Sequence, residues 1–478
     1  MHEFNQPEIL KRTDEKGGNK MRVSVREKLW RPPSRISYSQ VFATSQKVLN
    51  KRSQRIRRQE DIFRIHELGL DWDIGVFKYD PIPNSSIGRG ADNRKIGIFL
   101  LHGGAGDFKT MDKIARLFSE KFACRVVSMT YPGRLYLEDK TRDWPGDTIE
   151  SDGKIRTPIW KRGEFVSQDE FSVRNDRSKL IKYGTRTVIH AKRGSQFFDR
   201  MASWPAAFEE GMKEACRRHF PDKEFSIYVH GHSTGGPYVS MLSQRVANIA
   251  GVMAIENSSF GYINEQKHLW SGSVGKIEGF KRLATMGAAW TNPFYELYVR
   301  TWRDLARYKG SEALGQEGPQ ALMQLPWLME EILNQWEHAK KRPNFKAEYL
   351  VTHNIVGSLE AAARATARRL KFNRKQTKEL IDRFVGYTRP LEGKGVKPVP
   401  PYLFGISKNS RDHSPEVYRE VIIPMFKAMK PQPKTALTRF GAGVHSYWTP
   451  ENNLPLGIAP VVAQLYYDAI RRGFYVVN

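Results

Sequence analysis

A serine stands between two glycines in the run Gly231-His232-Ser233-Thr234-Gly235, which follows the pattern G-x-S-x-G. A serine hydroxyl is a weak nucleophile until an adjacent general base takes its proton. The apolar run FSIYVHG leads up to this serine, and a helix-forming run that opens with two glycines follows it. This context predicts a strand, a sharp turn and a helix, with the Ser233 hydroxyl presented at the turn for attack on an acyl carbon.

A histidine that could serve as the base follows another predicted strand. The apolar run TALTRFG leads into the glycine-containing run AGVHS at 442–446. An imidazole titrates near neutral pH, so a neutral histidine in such a loop can accept a proton and later return it. We therefore expect His445 to be the general base for Ser233.

A second glycine-rich turn, LHGGAG at 101–106, ends the apolar run IGIFLL. It resembles the HG-type turn of the α/β-hydrolases, in which backbone amides face the developing oxyanion. Together with Ser233 and His445, this turn makes the chain resemble the α/β-hydrolase superfamily over residues 70–260 and 398–478.

The resemblance implies an α/β fold with a mainly parallel sheet flanked by helices, and hydrolysis through an acyl-enzyme. It implies oxyanion donors at the amides of Gly104 and Thr234, with Ala105 as a substitute. It calls for no metal and no organic cofactor. A serine at the turn, where dehalogenases and epoxide hydrolases of related fold carry a carboxylate, argues against those two chemistries.

Two acidic residues compete for the third place in the triad, where a carboxylate would fix the tautomer of the histidine. Asp412 lies in the loop after the apolar run PYLFGISK, the more usual site in this superfamily, and we favour it. Glu256 ends the preceding predicted strand and is the alternative. Asp412 could instead cap the next helix, and Glu256 could simply pair with an arginine.

Short apolar runs alternate with helical patterns, which is typical of a mainly parallel sheet flanked by helices. We assign residues 70–260 and 399–478 to this catalytic domain, with a long insertion at 133–200. The stretch 261–398 has helical periodicity and falls between the sixth and seventh strands, where a cap or lid domain is expected. Residues 1–69 are predicted to form a basic helical extension, including a solvated helix at the run KRSQRIRRQE.

The predicted cap is rich in large aromatic side chains. Most of them are expected to form its own core, and the rest could line an apolar pocket above Ser233. The candidates for substrate binding are Trp290, Tyr298, Trp302, Trp327 and Trp336. This composition favours a small-molecule substrate with a hydrophobic or aromatic part.

The chain of 478 residues has a formal net charge of +26, from 77 Lys and Arg against 51 Asp and Glu. The basic residues are interspersed with acidic ones and with no stacking aromatics, so nucleic acid is not the expected partner, whereas an anionic substrate is compatible. Two cysteines are too few for a disulfide framework, and no run approaches the about 20 apolar residues of a membrane span. We expect a cytoplasmic protein without a secretory signal or a membrane span, and a homo-oligomer is left open.

Three functions compete. The first is hydrolysis of a carboxylic ester or lactone. The second uses the same triad as a carbon–carbon bond hydrolase, thioesterase or acyltransferase. The third is a binding protein that keeps the fold without catalysis, which the presence of both Ser233 and His445 disfavours.

Overall fold

The computed structural model describes most of the chain outside the predicted cap. The described residues are 31–103, 108–136, 159–164, 166–177, 185–192, 194–233, 235–256, 360, 362–387, 396–409, 423–428 and 431–474.

Nine of the described strands form one sheet, in the order β1-β11-β10-β9-β8-β4-β5-β3-β2. They are β1 (Arg35–Ile36), β2 (Ile56–Glu67), β3 (Leu70–Pro81), β4 (Lys95–Leu101), β5 (Arg125–Met129), β8 (Phe225–His232), β9 (Ile249–Ile255), β10 (Tyr402–Ile406) and β11 (Thr435–Phe440). Neighbouring strands run parallel from β1 to β5, and β3 is antiparallel to both β5 and β2. The mainly parallel sheet of an α/β-hydrolase fold is thereby confirmed.

Helices cover both faces of this sheet. They are α1 (Tyr38–Leu49), α2 (Asp112–Phe122), α3 (Gln196–His219), α4 (Gly235–Leu242), α5 (Arg374–Gly386), α6 (Ile423–Ala428) and α7 (Ala459–Arg471), and residues 362–369 are also helical. None of these described helices is long and apolar enough to span a bilayer.

Strand side chains alternate between two apolar layers, because successive residues of a strand point to opposite faces. On β4, Phe99 and Leu101 face the layer that contains α3 and α4. Ile98 and Leu100 face the layer that contains α1, α2 and α7. Both faces are therefore buried, which explains the continuous apolar runs of the central strands.

The N-terminal region differs from the expectation. The run at 51–60 is not a helix: β2 begins at Ile56 and pairs antiparallel with β3 along its whole length. Its inward residues Phe63 and Ile65 are buried in the core, while Arg64 between them and His66 after them are exposed at the sheet edge. Buried and exposed residues therefore alternate with a period of two, as in a strand. The many charged residues of this region made that period hard to recognise in the sequence. With β1 also in the sheet, the predicted boundary at residue 69 does not separate this region from the catalytic domain.

The insertion and the end of the predicted cap have structure of their own. Strands β6 (Phe171–Arg177) and β7 (Thr185–Ala191) form a separate antiparallel pair within the insertion. Residues 362–387 pack into the same apolar layer as β3 and α3, through buried side chains that include Ala363 and Phe384. Residues 257–359 lie outside the described residues, and the cap remains a prediction there.

Candidate active site

Ser233 occupies the turn between β8 and α4. Its φ angle is 52°, in the left-handed region that residues other than glycine rarely adopt. The flanking glycines permit this path, because a Cβ at Gly231 would lie 2.7 Å from the Gly235 carbonyl oxygen. A Cβ at Gly235 would overlap the carbonyl group of Leu101 on the neighbouring β4. The G-x-S-x-G pattern is thus a requirement of close backbone packing, and it presents Ser233 at the carboxyl edge of the sheet.

His445 follows β11 and reaches the serine. Its Nε2 lies 3.1 Å from Ser233 Oγ, and its Nδ1 lies 3.3 Å from Glu256 Oε2. A carboxylate can only accept, so this contact places the proton of a neutral His445 on Nδ1 and leaves Nε2 free to accept from the serine hydroxyl. That is the tautomer a general base for Ser233 needs.

Glu256 follows β9 directly and is fully buried. Its backbone has a φ of 52°, and its amide donates to the Gly405 carbonyl oxygen at 3.2 Å. Carboxylate oxygen Oε1 accepts from the Ser407 amide at 2.7 Å, while Oε2 faces His445. Both oxygens of this buried carboxylate therefore have described partners.

Ser407 also holds the loop that carries the histidine. Its hydroxyl donates to the Val444 carbonyl oxygen at 3.0 Å. The two residues after it continue the contact, since the amides of Lys408 and Asn409 donate to the carbonyl oxygens of Ala442 and Gly443, each at 3.0 Å. The residues that follow β10 thus hold both the Glu256 carboxylate and the loop of His445, a role that sequence reasoning did not assign to them.

The buried His230 on β8 has a hydrogen-bond partner other than Ser233. His230 Nε2 is 2.6 Å from the hydroxyl oxygen of Tyr447. Burial lowers the pKa of His230 to about 3, so it stays neutral over the physiological pH range. Its side chain belongs to the apolar layers around β8.

The remaining predicted site residues all lie outside the part of the chain that the structure describes. Asp412 lies outside the described residues, and the carboxylate beside His445 is Glu256, the alternative. The three predicted oxyanion donors, Gly104, Ala105 and Thr234, and the five cap aromatics, Trp290, Tyr298, Trp302, Trp327 and Trp336, are also outside them.

The described part of the glycine-rich turn does approach the serine. A Cβ at Gly103 would lie 3.1 Å from both His232 Nδ1 and Ser233 Cβ, so this turn packs directly against the nucleophile. The ring of His102 stacks on Tyr131, with 3.9 Å between ring centroids, and the Tyr131 hydroxyl donates to the His102 carbonyl oxygen. These contacts fix the start of the turn next to Ser233. Among the described residues, no three His, Cys, Asp or Glu side chains are grouped as metal ligands.

Comparison with solved structures finds matches to esterases and to a thioesterase domain. A fungal esterase from Rhizomucor miehei matches over 89% of this chain and 89% of its own, at 12% identity and a TM-score of 0.34. An arylesterase matches over 90% of this chain and 91% of its own, at 12% identity and a TM-score of 0.35. A thioesterase domain from the curacin biosynthetic pathway matches over 85% and 99%, at 12% identity and a TM-score of 0.30.

No family model matches the chain, and no curated protein sequence matches it. The identities and TM-scores of the structural matches are too low to transfer an activity or a substrate. The class that the sheet topology and the turn at Ser233 define is an α/β-hydrolase fold.

Proposed function

We propose that the protein is a serine hydrolase that cleaves carboxylic esters through an acyl-enzyme, with Ser233 as nucleophile, His445 as general base and Glu256 as the acid. The observation that carries the proposal is the continuous line of contacts from Ser233 Oγ to His445 Nε2 at 3.1 Å and from His445 Nδ1 to Glu256 Oε2 at 3.3 Å. The tautomer implied by this line is the one that base catalysis requires.

In the proposed reaction, His445 takes the Ser233 proton as the hydroxyl oxygen attacks the ester carbonyl carbon. The imidazolium that forms is stabilised by Glu256. The tetrahedral oxyanion would be bound by the amides of Gly104 and Thr234, with Ala105 as substitute. His445 then protonates the departing alcohol, and a water activated by the same histidine cleaves the acyl-enzyme.

For the substrate we propose a small molecule with a hydrophobic or aromatic acyl or alcohol part. The support is the aromatic composition of the stretch predicted to form a cap, in which Trp290, Tyr298, Trp302, Trp327 and Trp336 are the candidates. The basic charge of the chain is compatible with an anionic group on the substrate. Lactone hydrolysis belongs to the same proposal, because a lactone is a cyclic ester.

The experiment is labelling with a fluorophosphonate probe, which reacts only with an activated serine, combined with hydrolysis of p-nitrophenyl acetate. We expect the wild-type protein to be labelled and active, and Ser233→Ala to lose both. Its turnover should fall at least about 1,000-fold with the melting temperature retained. Ser39→Ala is the matched control, because Ser39 is an exposed serine on α1, and it should behave as the wild type.

Absence of labelling in the wild type would favour the non-catalytic alternative. Labelling that persists in Ser233→Ala would move the nucleophile elsewhere. A panel of an ester, a thioester, a lactone and a carbon–carbon substrate with one common acyl group would distinguish the ester hydrolase from the other activities of the same triad. Transfer of the acyl group to an added alcohol would indicate an acyltransferase.

A further inference from the structure

The residue immediately before the serine contacts the main chain of the proposed base. His232 Nε2 lies 2.8 Å from the carbonyl oxygen of His445. A carbonyl oxygen has no proton to give, so the imidazole of His232 must be the donor, and its Nε2 must carry the proton. Sequence reasoning treated His232 only as a variable position of the G-x-S-x-G pattern.

The ring of His232 is confined on several sides. The side chain is 4% exposed. Trp448 makes an edge contact with the ring, at 4.7 Å between ring centroids, and Tyr447 makes another at 5.7 Å. In the glycine-rich turn that follows β4, a Cβ added to Gly103 would come within 3.1 Å of His232 Nδ1. The imidazole therefore has little freedom to turn away from the His445 carbonyl group.

His232 directly precedes Ser233, so its hydrogen bond to the His445 carbonyl oxygen links the segment that carries Ser233 to the segment that carries His445. One backbone segment carries both Ser233 and the donor that holds His445. The described hydrogen bonds of Ser407 hold Val444 and Glu256, on the other side of the base. The His445 backbone is thus fixed from β8 as well as from β10.

We infer that His232 is a positioning residue whose Nε2–H fixes the His445 backbone and thereby the distance between His445 Nε2 and Ser233 Oγ. The inference rests on the proposed function in so far as those two atoms exchange a proton. Catalytic groups have to be held within about 0.5 Å of their productive geometry. A displacement of about 1 Å costs on the order of 100-fold in rate.

If His232 acted through packing alone, its substitutions would affect activity in a different pattern. A matched set of variants distinguishes the two roles. His232→Gln places an amide N–H near the position of Nε2 and can keep the bond. His232→Asn has a shorter side chain and cannot reach, and His232→Leu fills the space without a donor. All three remove the aromatic contacts with Trp448 and Tyr447.

We expect His232→Leu and His232→Asn to lower kcat on p-nitrophenyl acetate by about 10- to 100-fold with little change in KM, since a misplaced base slows chemistry rather than binding. His232→Gln should recover kcat to within about 5-fold of the wild type. Equal losses in Gln and Leu, tracking the loss of melting temperature, would overturn the inference in favour of packing. Wild-type kcat in the Leu variant would overturn it as well.

A second measurement does not depend on activity. Nitrogen-15 NMR of the histidine side chains in the Ser233→Ala protein reports which ring nitrogen carries the proton. We expect His232 to carry the proton on Nε2. The ring signals of His445 should shift in His232→Leu, and they should shift less in His232→Gln. A His232 protonated only on Nδ1 would refute the hydrogen bond directly. If the wild type shows no serine-dependent hydrolysis but the expected tautomer, the proposed function fails while the contact stands.

Discussion

Replacing Glu256 by glutamine removes one charge while leaving the size of the side chain almost unchanged. The Ser407 amide donates to Glu256 Oε1 at 2.7 Å, so this position must keep an acceptor. In the Gln variant, the amide oxygen would occupy it and the NH₂ group would face His445. An NH₂ group donates, so it would take the lone pair of His445 Nδ1 and force the proton onto Nε2.

The magnitude follows from this change of tautomer. With a proton on Nε2, His445 can no longer accept the hydrogen of Ser233 Oγ, 3.1 Å away. The carboxylate that stabilises the imidazolium is also lost. Removing the acid of a serine triad in this way costs about 10,000-fold in kcat, and we expect a loss of about 1,000- to 10,000-fold for Glu256→Gln.

The assay is kcat and KM on p-nitrophenyl acetate, with the melting temperature measured beside them. Glu451→Gln is the matched control, because Glu451 accepts from the Gly443 amide at 2.7 Å in the same loop, and a glutamine oxygen can keep that bond. It should retain kcat within about 10-fold. Asp412→Asn tests the competing acid and should likewise retain it. A loss of 1,000-fold or so in Asp412→Asn, with nearly full activity in Glu256→Gln, would refute the tautomer reasoning and move the acid to the β10 loop.

Two further predictions concern stability and substrate choice. Burial lowers the pKa of His230 to about 3, against about 6.5 for an exposed histidine, so between these values the unfolded chain binds a proton that the folded chain does not. The free energy of unfolding should therefore fall as the pH drops from about 6.5 towards 3, by up to about 1 kcal/mol per pH unit from this group. Urea denaturation at several pH values should show a weaker pH dependence of this free energy for His230→Phe than for the wild type, and an equal pH dependence would contradict the assignment. If the predicted cap binds substrate, Trp302→Ala should reduce the hydrolysis rate of a bulky aromatic ester more than that of an acetate ester. Equal losses of rate on the two esters, with an unchanged melting temperature, would argue against a pocket there.

The residues that could be predicted from sequence are those whose chemistry is fixed by their immediate neighbours. Ser233 needs glycines at fixed positions because the turn brings β8, α4 and β4 into contact. That requirement is visible in the five-residue pattern G-x-S-x-G. His445 is recognisable from the strand and glycine that precede it. The proposed acid is different, since the partner that orients Glu256 is the amide of Ser407, which directly follows the neighbouring strand β10 and is far away along the chain. A contact of this kind leaves no local signal.

The same distinction explains the error at the N-terminus. The inward residues of β2, Phe63 and Ile65, are separated by the exposed Arg64, and only their pairing with β3 shows that the period is two. The run at 51–60 contains mainly the polar part of that pattern. His232 was missed for a related reason, because its acceptor is a backbone carbonyl group in a distant loop.

Strand β1 makes one edge of the sheet depend on two segments that are far apart along the chain. Arg35 pairs with Arg439, and the Gly441 amide donates to the Ile36 carbonyl oxygen at 2.7 Å, so β11 is inserted between β10 and a strand that lies far earlier in the chain. His445 follows β11 and is therefore synthesised long after Ser233. The early strand must wait for its partner while the rest of the sheet forms, since such long-range pairing is slow. A nascent or prematurely terminated chain would therefore carry the serine without its base, and hydrolysis would begin only when the two distant segments meet.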